Sequence, residues 1–255
     1  MRPPARVGIL DWGIGGVGVW RALRLRAPRV PVLYLSDAGY TPYGLLSCGE
    51  LAARLTELVQ LLVEQGATSI VVACNAASTV LGSLVRAHDF EVPITGMIRP
   101  ILEHFPAAAR GTLGVLGGRR TIRSQLFRRG LERPGRSIVQ RIAQPLSAHI
   151  ERGSTQSADC ARDLDRILAP LRTADSILLA CTHYPAIKSL IAARTPGAKL
   201  IDPADSVVEL VLSAFPLPRR GAPDYVLTTG SPSSTRRAAL RAWNFDVGRC
   251  QGFPG

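Results

Sequence analysis

Residues 70–79 read IVVACNAAST, and residues 177–186 read ILLACTHYPA. Each is three aliphatic residues, then Ala-Cys, then a polar residue. A short apolar run of this kind suits a strand buried on both faces, as in a parallel sheet. A second matching pair lies upstream: VGILDWGIGG at 7–16 and LGVLGGRRTI at 113–122, each an apolar strand followed by glycines and a helix start. Positions 11 and 74 are 63 apart, and positions 117 and 181 are 64 apart. This repeat predicts two α/β halves of related topology, each with a cysteine at the carboxyl end of a strand.

The rest of the chain extends the pattern. Apolar runs predict strands at 7–10, 32–35, 70–73, 94–95, 113–116, 138–141, 177–180, 199–201 and 225–228. Amphipathic stretches predict helices at 16–26, 48–65, 77–89, 98–105, 119–129, 157–169, 184–195, 203–214 and 232–243. Strands alternating with helices indicate βαβ units around parallel sheets. The segment PLPRRGAP (216–223) reads as a surface connection.

Composition narrows the class. The chain has 255 residues, 46% of them hydrophobic, enough for one large or two smaller domains. No apolar run approaches the ~20 residues of a membrane helix. The start, MRPPARVGIL, runs straight into Asp11 and makes a poor signal peptide, so a soluble cytoplasmic protein is expected. Five cysteines (Cys48, Cys74, Cys160, Cys181, Cys250), an odd number without C-x-x-C, argue for free thiols rather than a disulfide framework or zinc cage. The net charge of +12 comes almost wholly from arginine, since only Lys188 and Lys199 are lysines. Such a charge attracts anions and makes nucleic acid a candidate partner. The arginines are scattered in doublets, however, and no nucleic-acid module accompanies them. An ordinary soluble enzyme with a small anionic substrate fits as well.

In open parallel sheets, sites form beyond the carboxyl ends of strands and beside helix amino termini. Cys74 and Cys181 both fall there, where a helix amino terminus is expected to lower a thiol's pKa from its free value of ~8.5. Two thiols across a cleft suit a two-sided proton transfer, in which one removes a proton from a carbon and the other returns a proton to the opposite face. Asp11 could orient or deprotonate a thiol, and His183 lies two residues after Cys181. Asn75 and Thr182, each next to a cysteine, could hold a carboxylate together with helix-start amides. Taken alone, Glu151 reads as a solvated charge. The turn DWGIGG lacks the G-x-G-x-x-G pattern, no G-x-x-x-x-G-K-[ST] occurs, and nucleotides are discounted. Its glycines are expected to let the backbone approach a small substrate closely.

These motifs together resemble the cofactor-independent aspartate/glutamate racemase family. GILDWGIGG resembles its D-S-G-x-G-G opening, and YLSDAGYTPYG (34–44) its Y-x-x-D…P-Y-G segment. VACNAAS resembles A-C-N-T-A-S, PLSAHIERG resembles P-L…E-x-G, and ACTHYP matches G-C-T-H-Y-P. The resemblance runs nearly end to end. It implies two pseudo-symmetric α/β domains with parallel sheets flanked by helices and the active site between them: 1–96 with 207–255, and 97–206. It implies that Cys74 and Cys181 each take the α-proton of one enantiomer, with Asp11 assisting Cys74 and with Glu151 and His183 assisting Cys181. It places Trp12, Pro42, Tyr43, Gly44, Asn75, Ala76, Thr121 and Thr182 on the substrate. It implies no cofactor and no metal, a small anionic amino acid as substrate, a homodimer, and no membrane association. Interconversion of L- and D-glutamate for peptidoglycan is the activity it implies.

Three positions depart from the family pattern. Trp12 stands where the family has serine, Ala76 where it has threonine, and Gly118 where it has the first threonine of G-T-x-x-T. Two other readings therefore stand beside the first. One is the same chemistry on another amino acid or carboxylic acid. The other is a catalytically silent binding protein of the same fold.

Overall fold

The computed structural model describes residues 4–215, 217 and 223–253. The connection expected at 216–223, with its Arg219–Arg220 doublet, lies outside the described residues except for Leu217 and Pro223. In chain order the strands are β1 (Arg6–Asp11), β2 (Val32–Ser36), β3 (Ala67–Val72), β4 (Ile94–Gly96), β5 (Gly111–Gly117), β6 (Arg136–Ile142), β7 (Ser176–Ala180), β8 (Lys199–Ile201), β9 (Tyr225–Thr228) and β10 (Cys250–Gly252). They form two sheets, ordered β10-β9-β2-β1-β3-β4 and β6-β5-β7-β8. Every pairing within them is parallel. The runs β2-β1-β3-β4 and β6-β5-β7-β8 have the same order, so β1 corresponds to β5 and β3 to β7. The repeat in the sequence is therefore a repeat of topology.

Strands of the first sheet fall within 1–96 and 207–255, and those of the second within 97–206. The apolar runs fold this way because helices cover both faces of each sheet. One continuous core lies beneath both sheets and includes Val7, Trp20, Leu116, Leu179, Val208 and Trp243. Separate cores fill the outer face of the first sheet, around Leu55 and Val72, and of the second, around Val115 and Phe127. Trp20 stacks on Tyr34 with ring centroids 5.9 Å apart and meets Phe245 edge-on.

Helix ends follow local chemistry. Ser47 and Glu50 form a reciprocal capping box at the start of Cys48–Glu64. Ser157, Asp202 and Ser231 cap the helices that begin at Ala158, Pro203 and Pro232.

Four expectations differ from the structure. The helix at 119–129 is two short ones, Arg119–Arg123 and Leu126–Leu131, because Gln125 between them is left-handed with φ 59°. The segment at 184–195 opens as a 3-10 turn, Tyr184–Ile187, before the helix Lys188–Ala192. β10 was not expected, since Cys-Gln-Gly carries no apolar alternation. The helix Gln144–Arg152 was not expected either. Its signals were Pro145 at the start, Leu146 and Ile150 on one face, and Gly153 just past the end with φ 75°.

Candidate active site

The site follows from strand register. Leu10 of β1 pairs with Val72 of β3, which brings Asp11 beside the segment that leads to Cys74. In the second sheet Gly117 of β5 pairs with Ala180 of β7, so Gly118 comes beside Cys181. The two cysteines thus occupy equivalent places on opposite sides of a cavity of about 560 Å³. All the residues singled out from the sequence line it. The first half contributes Asp11, Trp12, Pro42, Tyr43, Gly44, Cys74, Asn75 and Ala76; the second contributes Thr121, Glu151, Cys181, Thr182 and His183.

Cys74 caps the helix Asn75–Ala87, and the Asp11 carboxylate lies against it. Asp11 is 1% exposed, and its oxygens accept the N–H groups of Trp12 at 2.8 Å and Gly16 at 2.7 Å. Burial raises the Asp11 pKa, while the nearby His183 charge and these N–H groups oppose the rise. The Cys74 thiol is pushed well above its ordinary value, by burial first and then by the Asp11 charge. This reverses the lowering expected from the helix amino terminus. The Ala77 N–H does favour the thiolate, but desolvation and a neighbouring carboxylate outweigh it.

The Cys181 side is built differently. His183 is 5% exposed, with Nδ1 3.8 Å from Cys181 Sγ and Nε2 2.6 Å from Glu151 Oε1. Burial alone would lower the imidazole pKa. The hydrogen bonds and charges of Cys181 and Glu151 overcome that and hold it well above 6.5. Burial pushes the Glu151 carboxyl upward in turn, and His183 together with the Ile14 N–H at 3.0 Å brings it below 4.5. The His183 imidazole, paired with the Glu151 carboxylate, is therefore biased toward its protonated form behind Cys181, while Cys74 is backed by the Asp11 carboxylate. Each thiol has its own proton partner.

The glycine turn has a use beyond the one expected. A Cβ on Gly13 would overlap the Glu151 carboxylate, and one on Gly15 would lie 2.6 Å from both His183 Nδ1 and Thr182 Oγ1. The close approach the structure shows is to these side chains of the second half. Glycine is required because the two halves meet there with no room for a side chain.

The wall formed by the first half is braced from behind. Asp37 is fully buried; it accepts Tyr43 Oη at 2.9 Å and two hydrogen bonds from Arg54, at 3.0 and 2.6 Å. The Trp12 indole donates to the Tyr40 carbonyl at 3.0 Å, so its ring is fixed where the family carries a hydroxyl. Asn75 is 2% exposed, and neither of its amide atoms has a partner among the described residues. Such a buried amide costs stability unless something bonds to it. Lining the cavity, it is placed to hold a polar group there.

Sequence reasoning missed Ser147, whose Oγ lies 3.6 Å from Cys181 Sγ, and also Gln144, Arg119, Arg120 and Arg152. Ser147, Gln144 and Arg152 belong to the helix that was not expected. Arg119 and Arg120 stood in view as the two unspecified positions of G-G-R-R-T. Among the described residues no group of three His, Cys, Asp or Glu side chains is placed to hold a metal ion.

Comparison with known proteins agrees with this geometry. The model of the family described as Asp/Glu/Hydantoin racemase matches residues 22–211. The chain is 35% identical over 251 residues to a glutamate racemase of Pseudomonas aeruginosa, covering 94% of each sequence. Its structure is similar to that of a glutamate racemase isoform from Bacillus anthracis, with a TM-score of 0.87 and 25% identity, covering 98% of this chain and 97% of that one. It is also similar to glutamate racemase from Thermus thermophilus in complex with β-chloro-D-alanine, with a TM-score of 0.85 and 27% identity over 100% of this chain and 98% of that one. With paired thiols at equivalent strand ends and a match across most of its length, the chain belongs to the Asp/Glu/hydantoin racemase family.

Proposed function

We propose that this protein racemises glutamate without a cofactor, by proton transfer between two thiols. The observation that carries the reading is the placement of Cys74 and Cys181 on opposite walls of one cavity, each with a separate acid–base partner. In one direction the Cys181 thiolate takes the α-proton, the electron pair stays on the α-carbon, and the Cys74 thiol delivers its proton to the opposite face. The product is inverted and the enzyme is left with its proton on Cys181. In the other direction the roles exchange. Asp11 serves Cys74; His183, held by Glu151, serves Cys181.

The unpartnered Asn75 amide and Thr182 suit the α-carboxylate, with Trp12, Ala76 and Thr121 shaping the rest of the cavity. Pro42, Tyr43 and Gly44 close it from the loop after β2. Glutamate is chosen because the relatives named above are glutamate racemases. Trp12, Ala76 and Gly118 favour a second reading, the same chemistry on another amino acid, because they remove three hydroxyls from the cavity wall.

The two sheets support a division into domains 1–96 with 207–255 and 97–206. Among the described residues no helix is long and apolar enough to cross a membrane. We place the protein in the cytoplasm as a homodimer supplying D-glutamate for peptidoglycan, with the net charge of +12 drawing the anionic substrate.

Single enantiomers of glutamate and aspartate in deuterated water test the reading. Optical rotation should decay to zero with one α-deuteron gained per inversion, and Cys74→Ala and Cys181→Ala should each abolish inversion. A wild-type protein active only on an amino acid other than glutamate would establish the second reading. Full activity in either variant would end the two-thiol mechanism.

A further inference from the structure

Arg120 does something that neither the motif nor the proton-transfer chemistry requires. It lies in the short helix Arg119–Arg123 of the second half, next to the cavity-lining residues Gly118 and Thr121. Its guanidinium crosses the cavity mouth to the loop between β2 and the helix Cys48–Glu64. Nε donates to the Tyr43 carbonyl at 3.1 Å, Nη2 donates to the Leu46 carbonyl, and Nη1 lies 3.5 Å from Cys48 Sγ. It makes no salt bridge to a carboxylate among the described residues. This loop supplies Pro42, Tyr43 and Gly44 to the cavity wall.

Among the hydrogen bonds that join the two halves over their shared core, two sets meet the cavity. At the back, Ile14 donates to Glu151 and glycines clear the space. At the mouth the clasp is one arginine donating to backbone carbonyls of the opposite half. Arginine suits this use because its planar fork presents several donors at once and stays charged at any working pH. Tyr43 is also held from behind by Asp37, and Ser47 by Glu50, but between them Leu45 is 75% exposed and its N–H is bonded to the Pro42 carbonyl at 2.8 Å.

We propose that Arg120 is a positioning residue, a latch that ties the 42–48 loop to the second half and holds the Pro42–Tyr43–Gly44 wall against bound substrate. Substrate must pass between these two walls, so the latch opens and closes with each turnover. It acts on binding and leaves the proton-transfer groups where they are. The inference rests on the reading of this cavity as the substrate site.

Two measurements on the full chain test it. In the absence of substrate, backbone hydrogen exchange in 42–48 should rise about tenfold or more in Arg120→Ala, with the rest of the chain unchanged. Arg120→Lys keeps the charge but not the fork, and it should fall between the two. In turnover, Arg120→Ala should raise KM for glutamate about tenfold and leave kcat within about threefold, again with Arg120→Lys between. Unchanged exchange would overturn the latch. So would a raised KM without faster exchange, which would place the guanidinium on the substrate itself. A wild-type protein that does not turn over glutamate would refute the functional reading alone, because the exchange measurement needs no substrate.

Discussion

Glu151→Gln separates charge from shape at the Cys181 side. Glutamine keeps the size of the side chain and an oxygen for the Ile14 N–H, but removes the negative charge 2.6 Å from His183 Nε2. Two unit charges ~4 Å apart interact by about 4 kcal/mol at an effective dielectric constant of ~20. The Glu151 side chain is 23% exposed, so solvent takes part of this. A charge-assisted hydrogen bond contributes ~1.5–3 kcal/mol, which corresponds to about one to two pH units on the imidazole. With that support gone, only Cys181 remains to oppose the burial that lowers the His183 pKa, and the imidazolium is less favoured.

We expect kcat/KM at pH 8 to fall roughly ten- to a hundredfold, and the alkaline limb of the pH–rate profile to move down by one to two units. The loss must be equal in both directions, because the two enantiomers have equal free energy. Circular dichroism with each enantiomer from pH 5 to 10 measures both effects. A variant with the native profile and a rate within a factor of two would refute the role given to the Glu151–His183 pair. Stability supplies a second check. The raised His183 pKa contributes stability that is full below 6.5 and lost as pH rises through the folded value. The lowered Glu151 pKa contributes stability that is present above 4.5 and lost as pH falls through the folded value. At neutral pH Glu151→Gln loses the Glu151 contribution and part of the His183 one, so the alkaline decline due to His183 should shrink in its unfolding curve.

Gly15→Ala would place a methyl group 2.6 Å from His183 Nδ1 and Thr182 Oγ1, and buried overpacking of this kind costs about 1–3 kcal/mol. We expect a folded protein of lower Tm whose kcat falls far more than its stability; native kcat would show that the halves do not need this close approach. Asp202 caps the helix Pro203–Ala214 by accepting the Ala204 N–H at 2.9 Å, and burial pushes its pKa up to about 6. That raised value means its contribution is favourable below 3.8 and lost as pH rises through about 6. Asparagine caps about as well, so Asp202→Asn should be more stable by about 3 kcal/mol at pH 8 and not at pH 4. Urea unfolding at both values decides it, and a gain equal at the two would contradict the assignment.

Much of the architecture was legible because parallel strands buried on both faces must be written as apolar runs, and those runs recur here in two matching sets. Cys74 and Cys181 were readable as a pair because each closes such a run. Glu151 was not readable from its own surroundings. Its helix is short and its role depends on His183, which is 32 residues away in the chain. Arg120 was visible in the motif, but nothing local shows that it reaches Tyr43 and Leu46.

By itself, then, the sequence determined the alternation of strands and helices, the repeat that makes two halves, and the two thiols at equivalent strand ends, since periodicity and local chemistry carry all three. Tertiary structure alone decided which way the Cys74 pKa moves. A helix amino terminus promised Cys74 a lowered pKa, and burial beside Asp11 raised it instead. It also decided the meaning of the glycine turn, whose missing side chains make room for Glu151, His183 and Thr182. Both outcomes depend on groups far apart in the chain. Desolvation and steric fit exist only once the two halves have closed on each other.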